Sequence, residues 1–216
     1  MTADDLPVVE PPFDTSAGRP TTDPTTVVGV VLAAGTSSRF GARNKLLATW
    51  DGDPLVRHAT RTLCRSIVDS VVVIVGHDHE RVSAAVDDLD VAVVRNDDYE
   101  TGQATSVRRG VRAARDRDAT AALFALGDMP RVAVRSIDRL VRAYKAGAGD
   151  ALAAACDGTR GNPVLFAARH FDALVDVTGD VGGRTILLTD DRSALVETGD
   201  TGVLVDVDRP EDVETL

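Results

Sequence analysis

The stretch from Val27 to Lys45, VVGVVLAAGTSSRFGARNK, constrains this chain more than any other. Its apolar run from Val27 to Leu32 is too short for an ordinary helix and rich in valine, which reads as a buried strand. The run passes into a loop of Ala, Gly, Thr and Ser and then delivers Arg39, Arg43 and Lys45. Small residues let backbone N–H groups approach phosphate oxygens closely, and the cations that follow neutralise several negative charges. A strand feeding such a loop suits a triphosphate. Neither G-x-G-x-x-G nor G-x-x-x-x-G-K-[ST] occurs, so dinucleotide-binding and P-loop readings fail on spacing. The alternative is an ordinary strand-to-helix turn with solvated arginines. Against it stands the scarcity of lysine: among 24 Lys and Arg the chain holds lysine only at 45 and 145. A compact point charge kept beside a Gly-rich loop points to phosphate.

At 216 residues the chain has the length of one globular domain with a full core. Its formal charge of −10 is spread along the chain and comes mostly from aspartate, which argues against nucleic acid as a partner. The Asp-rich, Lys-poor and aromatic-poor composition resembles that of proteins from salt-loving organisms. Cys64 and Cys156 form no C-x-x-C pair, and each lies in an apolar segment, as buried reduced thiols do. No secretory signal pattern opens the chain and no run approaches a membrane span, so the expectation is a cytoplasmic protein that binds no membrane.

Residues 1–25 carry five prolines among Thr, Ser, Asp and Gly without apolar periodicity, which predicts a disordered tail before a domain at 26–216. From Val27 onward strand and helix signals alternate, the pattern of a doubly wound, mostly parallel α/β sheet. Asp53 is expected to cap a helix from Pro54 to about Ser66, and Asp78 a short helix from His79 to about Asp87. Further strands are expected at Val71–Val75, Val91–Val94, Ala121–Leu126 and Ala151–Cys156. A turn from Asp157 to Gly161 would return the chain into Pro163–Phe166 as a hairpin. Helices are expected near Ala104–Arg115, Val134–Lys145, Arg169–Val175 and Gly182–Thr189. A last strand at Val203–Val207 and a helix begun by Pro210 would close the chain.

Three features then stand at successive strand ends: the loop after the first strand, Asn96 with Thr105 and Ser106, and Gly127-Asp128. Ligands in open α/β sheets bind at the carboxyl ends of strands. A carboxylate facing a triphosphate loop is the usual means of holding Mg²⁺, a hard cation that takes oxygen ligands. Alone, Gly127-Asp128-Met129-Pro130 could equally be a turn with an Asx bond.

The ordered segments LAAGTSSRFGARNKLL, GQATSVRRGV, LGDMP, GNPVLF, TGDVGGRTILL and DVDRPEDV make the chain similar to the molybdenum cofactor cytidylyltransferase branch of the MobA-like NTP transferases. The resemblance runs from Val27 nearly to the C-terminus. It implies a Rossmann-like nucleotidyltransferase fold, CTP as donor, Mg²⁺ as cofactor and molybdopterin as acceptor, with a molybdenum hydroxylase as the partner that receives the product. Carried over by position, it assigns the backbone of Leu32, Ala33, Ala34 and Gly35 to the nucleotide, with Ser106 and Gly127 beside it. Arg39 and Lys45 fall on the phosphates and are counted with Asp128 as catalytic. Asp128 falls on the metal, together with at least one of Asp206 and Asp208. Asn162, Gly179, Asp180, Gly183 and Arg184 fall on the acceptor.

The mechanism so implied is attack of an acceptor phosphate oxygen on the α-phosphorus in line with departing pyrophosphate. It needs charge neutralisation and positioning and no side-chain nucleophile. The sequence departs from the family at Gly102-Gln103-Ala104-Thr105-Ser106, where Gly-Met-Ser usually precedes the second serine, so base and acceptor choice stay open. Ala34 stands where guanylyl-transferring relatives show glycine, which favours cytosine. Three alternatives remain: a guanylyltransferase, a transferase using another phosphorylated acceptor, and a non-catalytic protein that carries the cofactor to its enzyme.

Overall fold

The computed structural model describes residues 6–13, 25–41, 43–176, 179 and 183–216. In chain order its strands and helices are β1 (Val8–Val9), β2 (Val27–Ala33), β3 (Thr49–Trp50), β4 (Asp53–Pro54), α1 (Leu55–Cys64), β5 (Ser70–Val75), α2 (His79–Ala84), β6 (Ala92–Arg95), α3 (Gln103–Arg115) and β7 (Ala121–Leu126). They continue with α4 (Val134–Lys145), β8 (Ala151–Cys156), β9 (Thr159–Ala167), α5 (Phe171–Asp176), α6 (Arg184–Thr189), β10 (Ser193–Glu197) and α7 (Pro210–Glu214).

Eight of these strands make one sheet in the order β1-β10-β8-β9-β7-β2-β5-β6, in which β9 alone runs antiparallel to its neighbours. This is the doubly wound, mostly parallel α/β sheet that the alternation of signals predicts. Strand β2 sits between β5 and β7, so the chain leaves it first towards one edge and later towards the other. The carboxyl ends of β2 and β7 lie at that reversal, which opens a crevice there.

Alternation along β2 divides the core. Val27, Val31 and Ala33 face one apolar layer with Leu63 of α1 and Ile137 and Leu140 of α4. Val28 and Val30 face the other, with Val107 and Val111 of α3 and Leu187 of α6. A sheet covered on both faces explains why its strands read as continuous apolar runs.

The structure corrects several expectations. Val8–Val9 pairs with Leu195–Val196 as an edge strand, and Leu6 is buried, so part of the tail belongs to the sheet; residues 14–24 lie outside the described residues. Asp53 pairs across a small hairpin with Trp50 and does not cap α1; its carboxylate instead meets Arg57 and Arg61. Asp78 holds the N-cap position of α2 in a left-handed conformation, without a side-chain capping bond. The segment expected as a final strand begins as a 3-10 turn, Thr201–Leu204, because the Asp200 carboxylate captures the Gly202 N–H at 3.0 Å and winds the backbone there. In its place β10 completes the sheet.

Candidate active site

The loop after β2 is built around two buried polar side chains. Ser37 takes a left-handed conformation, φ 56°, and turns its hydroxyl inward. That hydroxyl donates to Asn44 Oδ1 at 3.3 Å and accepts from the Lys45 N–H at 3.1 Å. Asn44 Oδ1 also accepts from the Leu46 N–H at 3.0 Å, and Asn44 Nδ2 donates to the His77 carbonyl at 3.4 Å. Asn44 thus caps the 3-10 turn Lys45–Leu47 and ties it to the end of β5. The position of Lys45 is therefore set by its own backbone anchors before its side chain makes any contact.

The Lys45 ammonium lies 2.6 Å from Asp128 Oδ2 and 3.0 Å from Asp208 Oδ1. Asp128 follows directly on β7, and its carbonyl accepts from the Val207 N–H at 3.0 Å, which brings the C-terminal segment to the same place. Asp212 then accepts from the N–H groups of Asp208 and Arg209, so α7 is anchored beside the site. Burial pushes the Asp128 pKa up, more strongly than the Lys45 charge and hydrogen bond pull it down, and Asp206 adds to the rise. For Lys45 burial acts downward, but the two carboxylates together carry its pKa above the ordinary lysine value.

Asp128 Oδ1 is buried without a hydrogen-bond partner among the described residues. An orphaned carboxylate oxygen in this crevice is what a hard cation would satisfy. The resemblance implies Asp128 with at least one of Asp206 and Asp208, and no group of three or more His, Cys, Asp or Glu suited to a metal occurs among the described residues. Asp208 is engaged by Lys45 and the Asp206 side chain is exposed. Mg²⁺ commonly takes one or two carboxylates and completes its shell with water and substrate phosphates, so the arrangement fits a metal that arrives with its nucleotide.

Above these groups opens a cavity of about 540 Å³. Leu32, Ala34, Gly35, Lys45, Ser106, Asp128 and Gly179 line it, together with residues 99–103. Ser106 is held there by Asn96, which is 0% exposed. The Asn96 amide donates to Thr105 Oγ1 at 2.8 Å and Ser106 Oγ at 3.0 Å. Ala33 and Gly127 do not reach the cavity wall: Ala33 points into the core, and the Gly127 N–H is used on the Leu32 carbonyl at 3.0 Å. Arg39 lies in the 3-10 turn Ser38–Phe40, with its side chain outside the described atoms, and Asp180 is outside the described residues. The Gly179 carbonyl accepts from the Ala104 N–H at 3.0 Å, which joins that residue to the start of α3.

A second lobe of about 230 Å³ shares Leu32, Gln103 and Leu126 with the first and is lined by Asn162, Gly183 and Arg184. It also receives Arg160, which sequence reasoning missed because the residue falls in a stretch that reads only as a turn. Ser37 and Asn44 were legible as polar loop residues, but nothing in the sequence shows that they bond each other. On α3, Arg109 pairs with Asp98 at 3.4 Å and Arg115 with Asp172.

Fold and crevice define the class, a nucleotidyltransferase-type α/β protein with its cation and its carboxylates at the β2/β7 switch. A crystal structure described as a nucleotidyl transferase from Methanothermobacter thermautotrophicus shares the fold with TM-score 0.75 and 26% identity, over 89% of this chain and 96% of that one. Rv0371c from Mycobacterium tuberculosis H37Rv gives TM-score 0.77 and 26% identity over 89% and 97%; it is also known in complex with manganese. The family model of the MobA-like NTP transferase domain matches residues 29–194, and the chain belongs to that family. Nicotine blue oxidoreductase of Paenarthrobacter nicotinovorans is 30% identical over 90% of this chain and 98% of its own. No helix among the described residues is long and apolar enough to cross a membrane.

Proposed function

We propose that this chain transfers CMP from CTP to the phosphate of a molybdopterin-type acceptor, releasing pyrophosphate, with Mg²⁺ as cofactor. The observation that carries the reading is the Lys45 ammonium, shared between Asp128 and Asp208 on the wall of a cavity of about 540 Å³, with Asp128 Oδ1 unpartnered among the described residues. Family membership supports nucleotidyl transfer. CTP is favoured over GTP by Ala34, and the acceptor rests on the ordered segments shared with the cytidylyltransferase branch.

In this reading the loop at 34–37 receives the triphosphate on its backbone, and Lys45 exchanges part of its carboxylate pairing for phosphate oxygens as the nucleotide arrives. Arg39 adds charge to the same phosphates. Asp128, whose Oδ1 has no partner among the described residues, would hold the divalent cation, with Asp208 as the candidate second carboxylate. Bound there, Mg²⁺ neutralises the phosphates and favours departure of pyrophosphate. Asn96 keeps Ser106 directed at the nucleotide. Asn162, Gly179, Asp180, Gly183 and Arg184 form the acceptor side. Two anions must meet, so the protein's part is to neutralise and align them.

The test is pyrophosphate release with Mg²⁺ and each of CTP, GTP, ATP and UTP, with and without molybdopterin. CTP-selective, acceptor-dependent release supports the reading. Selectivity for GTP moves the protein to guanylyl transfer. No release with any of the nucleotides, alongside intact binding of the acceptor, supports a carrier that hands the cofactor to a molybdenum hydroxylase. The name of the Paenarthrobacter relative raises a reductase reading, which the absence of a dinucleotide fingerprint disfavours; consumption of NADH or NADPH in the same assay would revive it.

A further inference from the structure

In a chain where aspartate outnumbers arginine, many guanidinium groups meet a carboxylate, although others, such as Arg112 and Arg135, meet none among the described residues. Among the first, Arg169 meets both Asp150 and Asp190. Arg160 and Arg184 belong with the others. Both line the 230 Å³ lobe, and among the described residues no carboxylate pairs with either. Arg160 is half-buried and Arg184 exposed, and the Arg160 Nε is enclosed without a hydrogen-bond partner among the described residues. Burial, and then the neighbouring positive charge of Arg184, depress the Arg160 pKa. A buried donor left unmatched is unfavourable, and two like charges held together add to that.

The backbone holds this arrangement in place. Strands β8 and β9 are in register from Ala151↔Phe166 to Ala153↔Val164, and pairing resumes at Ala155↔Arg160. Between those points β9 spends more residues than β8, so it bulges, and such bulges re-aim side chains beside functional sites. The bulge is locked from behind, because a Cβ at Gly161 would run into the Val203 carbonyl. On the opposite wall a Cβ at Gly183 would collide with the Phe166 ring, so glycine there lets Arg184 close over the same lobe. Phe124, Val164 and Phe166 make the remaining wall apolar.

We infer that Arg160 and Arg184 together form an oxyanion clamp for the acceptor's phosphate monoester, in a lobe that opens onto the nucleotide cavity across Leu32 and Leu126. This rests on the transferase reading for the word acceptor, while the anion site itself stands on the geometry. Paired guanidinium forks suit a phosphate dianion, which accepts several parallel N–H bonds. The apolar wall would receive the body of the molecule that carries it. The phosphate would then supply the hydrogen-bond acceptor that the enclosed Arg160 Nε lacks among the described residues.

The experiment measures thermal unfolding of the full chain against inorganic phosphate, with chloride at equal ionic strength as reference, for wild type, Arg160→Met, Arg184→Met and Lys45→Ala. The expected result is phosphate-specific stabilisation of wild type that Lys45→Ala retains. Each arginine variant should weaken apparent phosphate affinity at least tenfold. Arg160→Met, free of an enclosed charge, should unfold no lower than wild type in phosphate-free buffer. Stabilisation lost in Lys45→Ala but kept in both arginine variants would place the phosphate at the nucleotide loop and overturn the clamp, as would no effect beyond ionic strength. A parallel titration with CTP and Mg²⁺ separates the two readings. Arginine-dependent phosphate binding without any nucleotide binding would leave the clamp standing and remove the transferase reading. Weakened CTP binding in the arginine variants would instead assign the pair to the triphosphate and overturn the clamp.

Discussion

Lys45 Nζ lies 2.6 Å from Asp128 Oδ2, while the other oxygen of that carboxylate is buried without a partner among the described residues. The pair is therefore half complete, and several consequences can be measured.

Asp128→Asn keeps the shape of the side chain and removes its charge. Transfer should fall at least ~100-fold, the scale of losing one preorganised electrostatic group. Stability should fall by less than the ~3–5 kcal/mol that stranding a buried charge costs, because Asp208 still holds the Lys45 ammonium at 3.0 Å. Denaturant melts at neutral pH check this; a loss of that full size would mean that Asp208 does not compensate.

The acid limb of activity follows from the same residue. The folded Asp128 pKa is raised, by burial first and then by Asp206, against the pull of Lys45. Its contribution to stability is thus fully present below the unfolded value and lost as pH rises through the folded value, while function needs the ionised form. We expect kcat/KM to decline on the acid side at a pH above the ordinary aspartate value, and the limb to move lower when Mg²⁺ is saturating. The Lys45 pKa is raised too, so its share of stability persists to high pH and fades only above the ordinary lysine value. A pH–rate profile at two Mg²⁺ concentrations reads both; a metal-independent limb would separate Asp128 from the cation.

Asn44→Ala removes acceptors from the Ser37 hydroxyl and the Leu46 N–H. The cost should be about 1–2 kcal/mol, as for a lost cap. The KM for nucleotide should rise while the nucleotide preference stays the same. An unchanged KM would show that the Lys45 turn holds itself.

Asp200 offers a contrast away from the chemistry. Its carboxylate accepts from Ala133 N–H at 2.8 Å, Ser136 Oγ at 2.7 Å and Gly202 N–H at 3.0 Å, joining the start of α4 to the 3-10 turn. Asp200→Ala should lower stability by about 2–4 kcal/mol by stranding buried donors, with kcat at low temperature nearly unchanged. A large loss of kcat with stability intact would give Asp200 a different role.

Much of the scaffold is written locally. Ala121–Leu126, Val134–Lys145 and Ala151–Cys156 have the bounds that their apolar runs and helical periodicity predict, because each is buried along its length or along one face. Strands β1 and β10 were illegible for the opposite reason. Val8–Val9 is too short to carry a period, and Ser193–Glu197 becomes a strand only through partners supplied by β8 and β1. At the site the same division holds. Lys45, Ser106 and Asp128 announce themselves at strand or helix ends, whereas Arg160 enters its lobe only because β9 bulges.

Base choice supplies one more expectation. Ala34 is nearly buried, lines the nucleotide cavity and packs against Gly76. Removing its methyl in Ala34→Gly should enlarge the space for a purine and lower the preference for CTP over GTP. Competition between the two nucleotides measures it; an unchanged ratio would place base discrimination elsewhere, with residues 99–103 the next to substitute.

The most direct test of the account is a calorimetric titration of CTP into wild type and Asp128→Asn, each with and without Mg²⁺. Binding to wild type should tighten at least tenfold with the cation, and the cation effect should disappear in the variant. Binding of equal strength in all four conditions would contradict the assignment of Asp128 Oδ1 to the metal, and with it the nucleotide site built around Lys45.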